Sequence, residues 1–429
     1  MNINEALSFI HKTVWLGSKP GLSRTYHLLS LIGNPHKKLK FIHVAGTNGK
    51  GSTSACIASI LNKAGYKTGL YTSPYINVFN ERMQIDGKMI SDNELCELCQ
   101  FIKPFSDSMT DDPPTEFELI TVLAMEYFYR KGCDIVVLEV GMGGELDSTN
   151  VIDSPEVAVI CAIDLDHTSF LGSTVEEVAY AKAGIIKKDT KVALFDCEKN
   201  VFDVFQDKCK KVGASIVTAD FNKIENMSRN LRYITFDYGR YKNLSLSLIG
   251  SYQPKNASVA ITAIELLREK GYNISDENIY DGLKNVSWAG RFEILGENPV
   301  FVLDGAHNPH GMSATVESLK EHFHNKKIHF IVGAMADKDV RKMMKMLIPL
   351  ADSFIAVKPD NPRAMEANEL AQLLKSLGGK AQNCDNIKKA VAKSITNAGK
   401  EGIVACVGSL YFSGEIRQSY LSIVSEMYE

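Results

Sequence analysis

The sequence predicts two α/β domains, each built on a mainly parallel sheet flanked by helices. Three observations predict it. Continuous β-rich runs such as Ile135–Val140 (IVVLEV) and Val157–Ile163 (VAVICAI) suit strands buried on both faces of a parallel sheet. Between such runs lie stretches whose apolar residues recur at three and four, as in Thr115–Lys131. The alternation breaks near Trp288-Ala289-Gly290 and restarts, in a chain whose 429 residues exceed one ordinary core. The division expected is 1–294 for the larger domain and 295–429 for a smaller, doubly wound, Rossmann-like one.

The elements follow in order. An amphipathic helix runs to about Trp15 and a second from Arg24 to Ile32, with Lys19-Pro20-Gly21 as a breaker between them. Phe41–Ala45 (FIHVA) is a strand, Ser52–Ala64 a helix and Thr68–Thr72 a strand. Thr174–Ile186 is a helix, with Thr174 as N-cap ahead of Glu176 and Glu177. Leu231–Tyr238 and Leu244–Leu248 alternate around Gly239-Arg240, the pattern of an antiparallel hairpin added to the sheet. Helices follow over Lys255–Lys270 and Ser275–Val286. Beyond them Val300–Leu303, Ile328–Val332, Phe354–Val357 and Ile403–Val407 are strands, alternating with helices near 309–323, 338–350, 366–377, 386–397 and 410–427.

Composition narrows the classes of function. Hydrophobic residues at 45% and charged ones at 23% describe an ordinary globular chain, and a net charge of -3 offers no broad nucleic-acid surface. No apolar run approaches the about 20 residues of a membrane helix. The start, MNINEALSFIHKTVW, lacks the basic opening and cleavage site of a secretory leader. Nine scattered cysteines suit reduced thiols, and the CxxC of Cys96 and Cys99 lacks a second pair at zinc spacing. The expectation is a cytoplasmic monomer with small-molecule partners, and neither nucleic acid nor membrane.

The strongest local signal is FIHVAGTNGKGSTSA. A buried strand enters a Gly-rich loop and leaves it as a helix, so that backbone N–H groups turn inward as phosphate oxygens require. Thr47, Asn48, Gly49, Lys50, Gly51 and Ser52 form the cradle. Lys50 supplies a point charge for the β- and γ-phosphates, and the Ser52 hydroxyl a Mg²⁺ contact. The generic GxxxxGK[ST] pattern is not met, because Val44 replaces its first glycine and Gly51 follows Lys50.

The string HVAGTNGKGS resembles the ATP loop of the Mur-ligase superfamily, and its GKGS form resembles the folylpolyglutamate synthase/dihydrofolate synthase family. Further strings agree in order: LLSLIGNP at Leu28–Pro35, TSPYINVFNERMQIDG at Thr72–Gly87, TEFELIT at Thr115–Thr121 and EVGMGGELDSTN at Glu139–Asn150. IDLDHTSFLG follows at Ile163–Gly172, KAGI at Lys182–Ile185, GSYQPKNASVA at Gly250–Ala260, AGRFE at Ala289–Glu293 and DGAHNPHG at Asp304–Gly311. The resemblance implies an N-terminal P-loop ATPase-like domain bearing the folate site and a C-terminal glutamate-ligase domain.

It also implies roles. Ser73, Glu139 and His167 would join Ser52 as Mg²⁺ ligands, two ions being expected, and Lys182 would do so once CO₂ has carbamylated it. A potassium ion is common in such relatives. Lys50, Glu139, His167 and Lys182 would be the catalytic group. Asn256, Arg291, Asp304 and His307 would contact ATP, with Asn308 closing over the site beside His307. The acceptor would lie along Thr115, Glu116, Phe117 and Glu118 and along Leu146, Asp147 and Ser148. Plainer roles are open for several of these. Phe117 is also read as a core side chain, Ser73 as a loop cap, Glu139 as half of a structural ion pair and Arg291 as half of a hinge salt bridge. Asp164 and Asp166 either orient His167 or stand in solvent. The segment from Pro74 to Gly87 is expected to form a mobile loop over the nucleotide.

The implied reaction is amide formation: ATP, a carboxylate and L-glutamate give the amide, ADP and phosphate through an acyl phosphate. Addition to the γ-carboxylate of a tetrahydrofolate leads, with glutamylation of dihydropteroate as a companion activity. A UDP-muramyl amino-acid ligase and a non-catalytic P-loop regulator are the alternatives. The GKGS loop and the lack of a separate UDP-binding domain oppose the first. Glu139, His167 and Lys182 together would be surplus in the second.

Overall fold

The computed structural model describes residues 1–13, 17, 19–166 and 168–428. His167 and Trp15, named above, lie outside them. The first sheet has eight strands: β1 (Phe41–Ala45), β2 (Thr68–Tyr71), β3 (Met83–Ile85), β4 (Lys88–Met89), β5 (Ile135–Glu139), β6 (Val157–Ile160), β7 (Lys191–Phe195) and β8 (Ser215–Ala219). Their order is β4-β3-β2-β5-β1-β6-β7-β8, parallel from β2 to β8, with β3 and β4 antiparallel at the edge. Strand β1, buried at every position, sits between β5 and β6. The chain passes from β1 to β2 in one half of the sheet and from β6 to β7 in the other, so β1 and β6 flank a switch point, the place where such sheets hold ligands beyond their C-terminal strand ends.

Helices cover both faces. Helices Lys50–Lys63, Gln253–Glu269 and Asp276–Asn285 pack on one side through Ile57, Ile60, Ile261 and Leu283. Helices Ile3–His11, Asp92–Ser108 and Glu116–Arg130 pack on the other through Ile10, Leu98 and Leu123. Thr115 and Thr174 are capping-box N-caps, with Glu118 and Glu177 at the third helical positions.

Two expectations change here. The alternating segment is not added to the main sheet. Strands β9 (Ile224–Arg229), β10 (Ile234–Tyr238) and β11 (Tyr241–Leu246) form a separate antiparallel sheet. Its apolar face, Phe236, Leu244 and Leu246, is buried in the core that includes helix Gln253–Glu269. Alternation in the sequence fixes one buried face but not which strand is the neighbour. The segment from Pro74 to Gly87 holds a 3-10 turn, Phe79–Arg82, running into strand β3, because the Glu81 carboxylate accepts from the N–H groups of Ile76, Asn77 and Val78 at 2.7, 2.9 and 3.1 Å.

The second domain carries β12 (Glu293–Glu297), β13 (Val300–Leu303), β14 (Ile328–Val332), β15 (Ala351–Ala356), β16 (Ala381–Asn383) and β17 (Ile403–Val407), in the order β12-β13-β17-β14-β15-β16. All pairs are parallel except β12 with β13. The expected division at 294/295 falls inside β12.

Candidate active site

The strand ends converge. Loop 46–49 leaves β1, Ser73 follows β2, Glu139 ends β5 and Asp304 follows β13. They border a cavity of about 210 Å³ that also receives Ser52, Lys182, Asn256, Arg291 and His307. A second cavity of about 510 Å³ opens beside it, lined by Thr115, Phe117, Leu146, Asp147 and Ser148 from the first domain and by Lys338, Arg363 and Tyr411 from the second. Ser73, Pro74, Gly141–Gly143 and His307 border both.

The phosphate loop is held from outside. The Thr47 N–H and hydroxyl donate to the carbonyls of Ala162 and Asp164, each at 2.8 Å. Gly49 caps helix Lys50–Lys63 at φ 85, and a Cβ there would lie 2.5 Å from Asn256 Oδ1. Gly51 is excluded from other identities by packing: a Cβ would meet the Trp288 ring at 2.8 Å. That contact explains the departure from the generic loop pattern. The Ser52 hydroxyl accepts from Gln253 Nε2 at 3.2 Å, and Asn256 Nδ2 donates to Gln253 Oε1 at 3.0 Å.

Lys50 folds back, its Nζ donating to the carbonyls of Gly46 and Thr47 at 3.1 and 3.2 Å. Lys182 Nζ donates to the same Gly46 carbonyl at 2.8 Å. Lys182 is buried and has no ion pair among the described residues; burial, and then the Lys50 charge, push its ammonium down to about 7. Glu139 is also buried. Among the described residues its one hydrogen bond comes from the Ser73 N–H at 3.2 Å, and burial raises its pKa against the opposing pull of Lys50. A buried carboxylate with so little compensation invites a cation. With the hydroxyls of Ser52 and Ser73 in the same cavity, the donors are hard oxygens that suit Mg²⁺. No group of three or more His, Cys, Asp or Glu side chains suited to a metal forms among the described residues.

The domain junction supplies the rest. Asp304 is fully engaged: it accepts from Tyr252 OH at 3.1 Å, Phe292 N–H at 2.7 Å, Ala306 N–H at 2.9 Å and the Thr315 hydroxyl at 2.8 Å. It pins the hinge while bordering the cavity. Arg291 forms no ion pair or hydrogen bond through its side chain among the described residues, so it is not half of a hinge salt bridge. Burial and the nearby Arg291 charge push His307 down to about 4, and its Nδ1 lies 2.9 Å from the Gly305 carbonyl. Asn308 caps helix Pro309–His322 and reaches across to Asn48 Oδ1 at 3.2 Å, while His310 Nδ1 meets Asn48 Nδ2 at 2.9 Å. Asp166 is neither solvated nor isolated: Lys338 Nζ donates to it at 2.8 Å from the second domain.

On the acceptor side the structure separates neighbours in sequence. Thr115 and Phe117 face the cavity. Glu116 does not; it contacts His11 at 3.1 Å. Glu118 is turned into the core, where Arg24 Nε donates to its two oxygens at 3.1 and 2.9 Å. Successive helical residues point about 100° apart, so one helix cannot present four in a row to one ligand. The Asp147 carboxylate borders the cavity but closes its own loop, accepting from Met142 N–H at 2.8 Å and Thr149 N–H at 3.0 Å. Lys338, Gln253, Trp288 and Arg82 were not singled out from the sequence. Arg82 stood within a recognised string, but only its surroundings distinguish it.

Comparison with known proteins agrees with this geometry. The Mur ligase middle domain matches residues 44–264, and the Mur ligase glutamate ligase domain matches residues 290–410. A dihydrofolate synthase/folylpolyglutamate synthase of Bacillus subtilis is 37% identical over 426 residues, covering 96% of this chain and 98% of the relative. The crystal structure of folylpolyglutamate synthase from Thermotoga maritima superimposes with a TM-score of 0.86 at 31% identity, covering 97% of this chain and 96% of that one. The Mycobacterium tuberculosis folylpolyglutamate synthase complexed with ADP and AMPPCP does so with a TM-score of 0.88 at 28% identity, covering 96% and 98%. The chain belongs to the Mur ligase family, within its folylpolyglutamate synthase/dihydrofolate synthase branch.

Proposed function

We propose that the chain joins L-glutamate to the γ-carboxylate of a reduced folate, converting ATP to ADP and phosphate, and that dihydropteroate is a second acceptor in the same cavity. The observation that carries this is the common border of the two cavities at Ser73 and Gly141–Gly143, beside buried Glu139. A triphosphate on the loop and a carboxylate in the larger cavity would meet there.

A carboxylate is a poor electrophile, so its oxygen first takes the γ-phosphoryl group. The glutamate amine then attacks the acyl carbon, loses a proton, and the tetrahedral intermediate expels phosphate. Lys50 and Arg291 carry the positive charge that the moving phosphoryl group requires, and positioning and electrostatics supply most of the rate. Ser52, Ser73 and Glu139 would hold Mg²⁺, with His167 and carbamylated Lys182 serving a second ion. Bound Mg²⁺ supplies charge neutralisation on the phosphates. Potassium is an optional third ion. His307, kept neutral by burial, would contact substrate without adding charge.

Among the described residues no helix is long and apolar enough to cross a membrane, and all nine cysteines are free. These support a cytoplasmic enzyme, and we read it as a monomer. The test is ADP formation with glutamate plus either tetrahydrofolate or dihydropteroate. Absence of glutamate-dependent turnover with both would refute the folate reading. Lys50→Ala and Glu139→Ala should each abolish turnover in a protein that remains folded.

A further inference from the structure

Arg82 closes the 3-10 turn Phe79–Arg82 and borders the larger cavity, not the phosphate one. Its Nε and Nη1 are buried without a hydrogen-bond partner among the described residues. The guanidinium lies against the rings of Tyr75 and Phe79, 5.3 and 5.8 Å from their centroids. No carboxylate stands within ion-pair distance of it among the described residues. The adjacent Glu81 is consumed by backbone N–H groups of its own turn. Of the other cations that border this cavity, Lys19 is exposed to solvent and two are paired. Lys338 is paired with Asp166 at 2.8 Å and Arg363 with Asp337 at 3.3 Å.

A half-buried guanidinium with two nitrogens out of reach of water and unpaired is unfavourable unless an anion arrives to complete it. Arg82 does not border the phosphate cavity, so its anion is a substrate carboxylate, and it stands on the first-domain wall with Thr115, Phe117 and Ser148, the side read as the acceptor's rather than that of the incoming glutamate. A glutamyl acceptor carries two carboxylates. The γ-carboxylate must lie at the common border to be phosphorylated. The α-carboxylate stays unreacted, and needs its own charge partner close by. Dihydropteroate has no such second group.

Building on the folate-ligase reading above, we propose that Arg82 binds the α-carboxylate of the acceptor's terminal glutamate, and so is the residue that favours glutamylated acceptors over dihydropteroate. The planar fork of an arginine matches a carboxylate in two parallel hydrogen bonds, and the Tyr75 and Phe79 rings hold that fork in place.

The test is a cycle of Arg82→Gln and Arg82→Lys against two acceptors: tetrahydrofolate and its analogue with γ-aminobutyrate in place of glutamate. The analogue keeps the reacting carboxylate and lacks only the α-carboxylate. Its affinity is read as KM where it turns over and as Ki against tetrahydrofolate where it does not. For tetrahydrofolate, Arg82→Gln should raise KM about tenfold or more with a smaller change in kcat, and Arg82→Lys should recover part of the loss. For the analogue, Arg82→Gln should change affinity by less than about twofold. Equal losses on both acceptors, or none on either, would overturn the assignment. Circular-dichroism melts show whether each variant is folded, and Arg82→Lys keeps the test open where Arg82→Gln is not. Failure of the wild type to use tetrahydrofolate would instead refute the folate reading itself.

Discussion

Lys50 and Lys182 share one acceptor: both ammonium groups donate to the Gly46 carbonyl, at 3.1 and 2.8 Å. Two cations on one carbonyl, neither of them ion-paired among the described residues, are mutually repulsive. The arrangement favours the unprotonated amine at Lys182, the form that can add CO₂, releasing a proton and leaving an anionic carbamate.

Lys182 should therefore be carbamylated. Protein incubated with ¹³C-bicarbonate should show a carbamate carbonyl resonance that Lys182→Ala lacks, and that variant should lose about 10²-fold or more in glutamate-dependent ADP release. A wild-type spectrum without the resonance, or near-normal turnover of the variant, counts against the modification.

Gly51 should tolerate no side chain while Trp288 is present. Gly51→Ala forces either the indole or the loop to move, and overpacking of this kind costs about 1–3 kcal/mol. ADP affinity by calorimetry should fall about tenfold, and Trp288→Leu should restore part of it in the double variant. Independent, additive losses would show that the two residues do not oppose one another.

Glu118 should matter for stability and not for the acceptor. Glu118→Ala leaves the Arg24 guanidinium buried without its main partner, a change expected to lower unfolding free energy by about 3–5 kcal/mol. At a temperature where the variant remains folded, the KM for tetrahydrofolate should be unchanged. A raised KM with unaltered stability would return Glu118 to the substrate site.

His43 should make the fold sensitive to acid. It is buried on β1 with Nε2 2.8 Å from the Thr149 hydroxyl, and burial pushes it down from 6.5 to about 3. The unfolded chain takes up the proton first, so stability is complete above pH about 6.5 and is lost as pH falls towards 3. Urea unfolding between pH 6 and pH 4 should lose about 1.4 kcal/mol per unit less in His43→Gln than in the wild type. Parallel slopes would mean that His43 does not carry this effect.

The convergence of Glu139, Ser73 and the loop before Lys50 was legible because each follows or closes a buried parallel strand, and such ends gather at one rim. Glu116 and Glu118 were misplaced because a contiguous motif looks like a contiguous surface, whereas helix geometry turns its neighbours apart. The hairpin read over 231–238 and 244–248 was recognised by its period of two but assigned to the wrong sheet, and its third strand, Ile224–Arg229, was missed, since alternation carries no information about the partner strand.

The resemblance to the family implied the site residues, and the sequence by itself determined the two α/β domains and the phosphate loop. Those features are local: strand periodicity, glycine conformation and residue chemistry act within a few positions of the chain. Only the tertiary structure decided which charges are paired. Asp166 finds Lys338 across the domain boundary, Glu118 finds Arg24 in the core, and Arg82 finds no carboxylate among the described residues. Pairing depends on distance and burial between segments far apart in the chain, and it is the unpaired groups, Arg82 and Glu139, that the structure leaves for ligands.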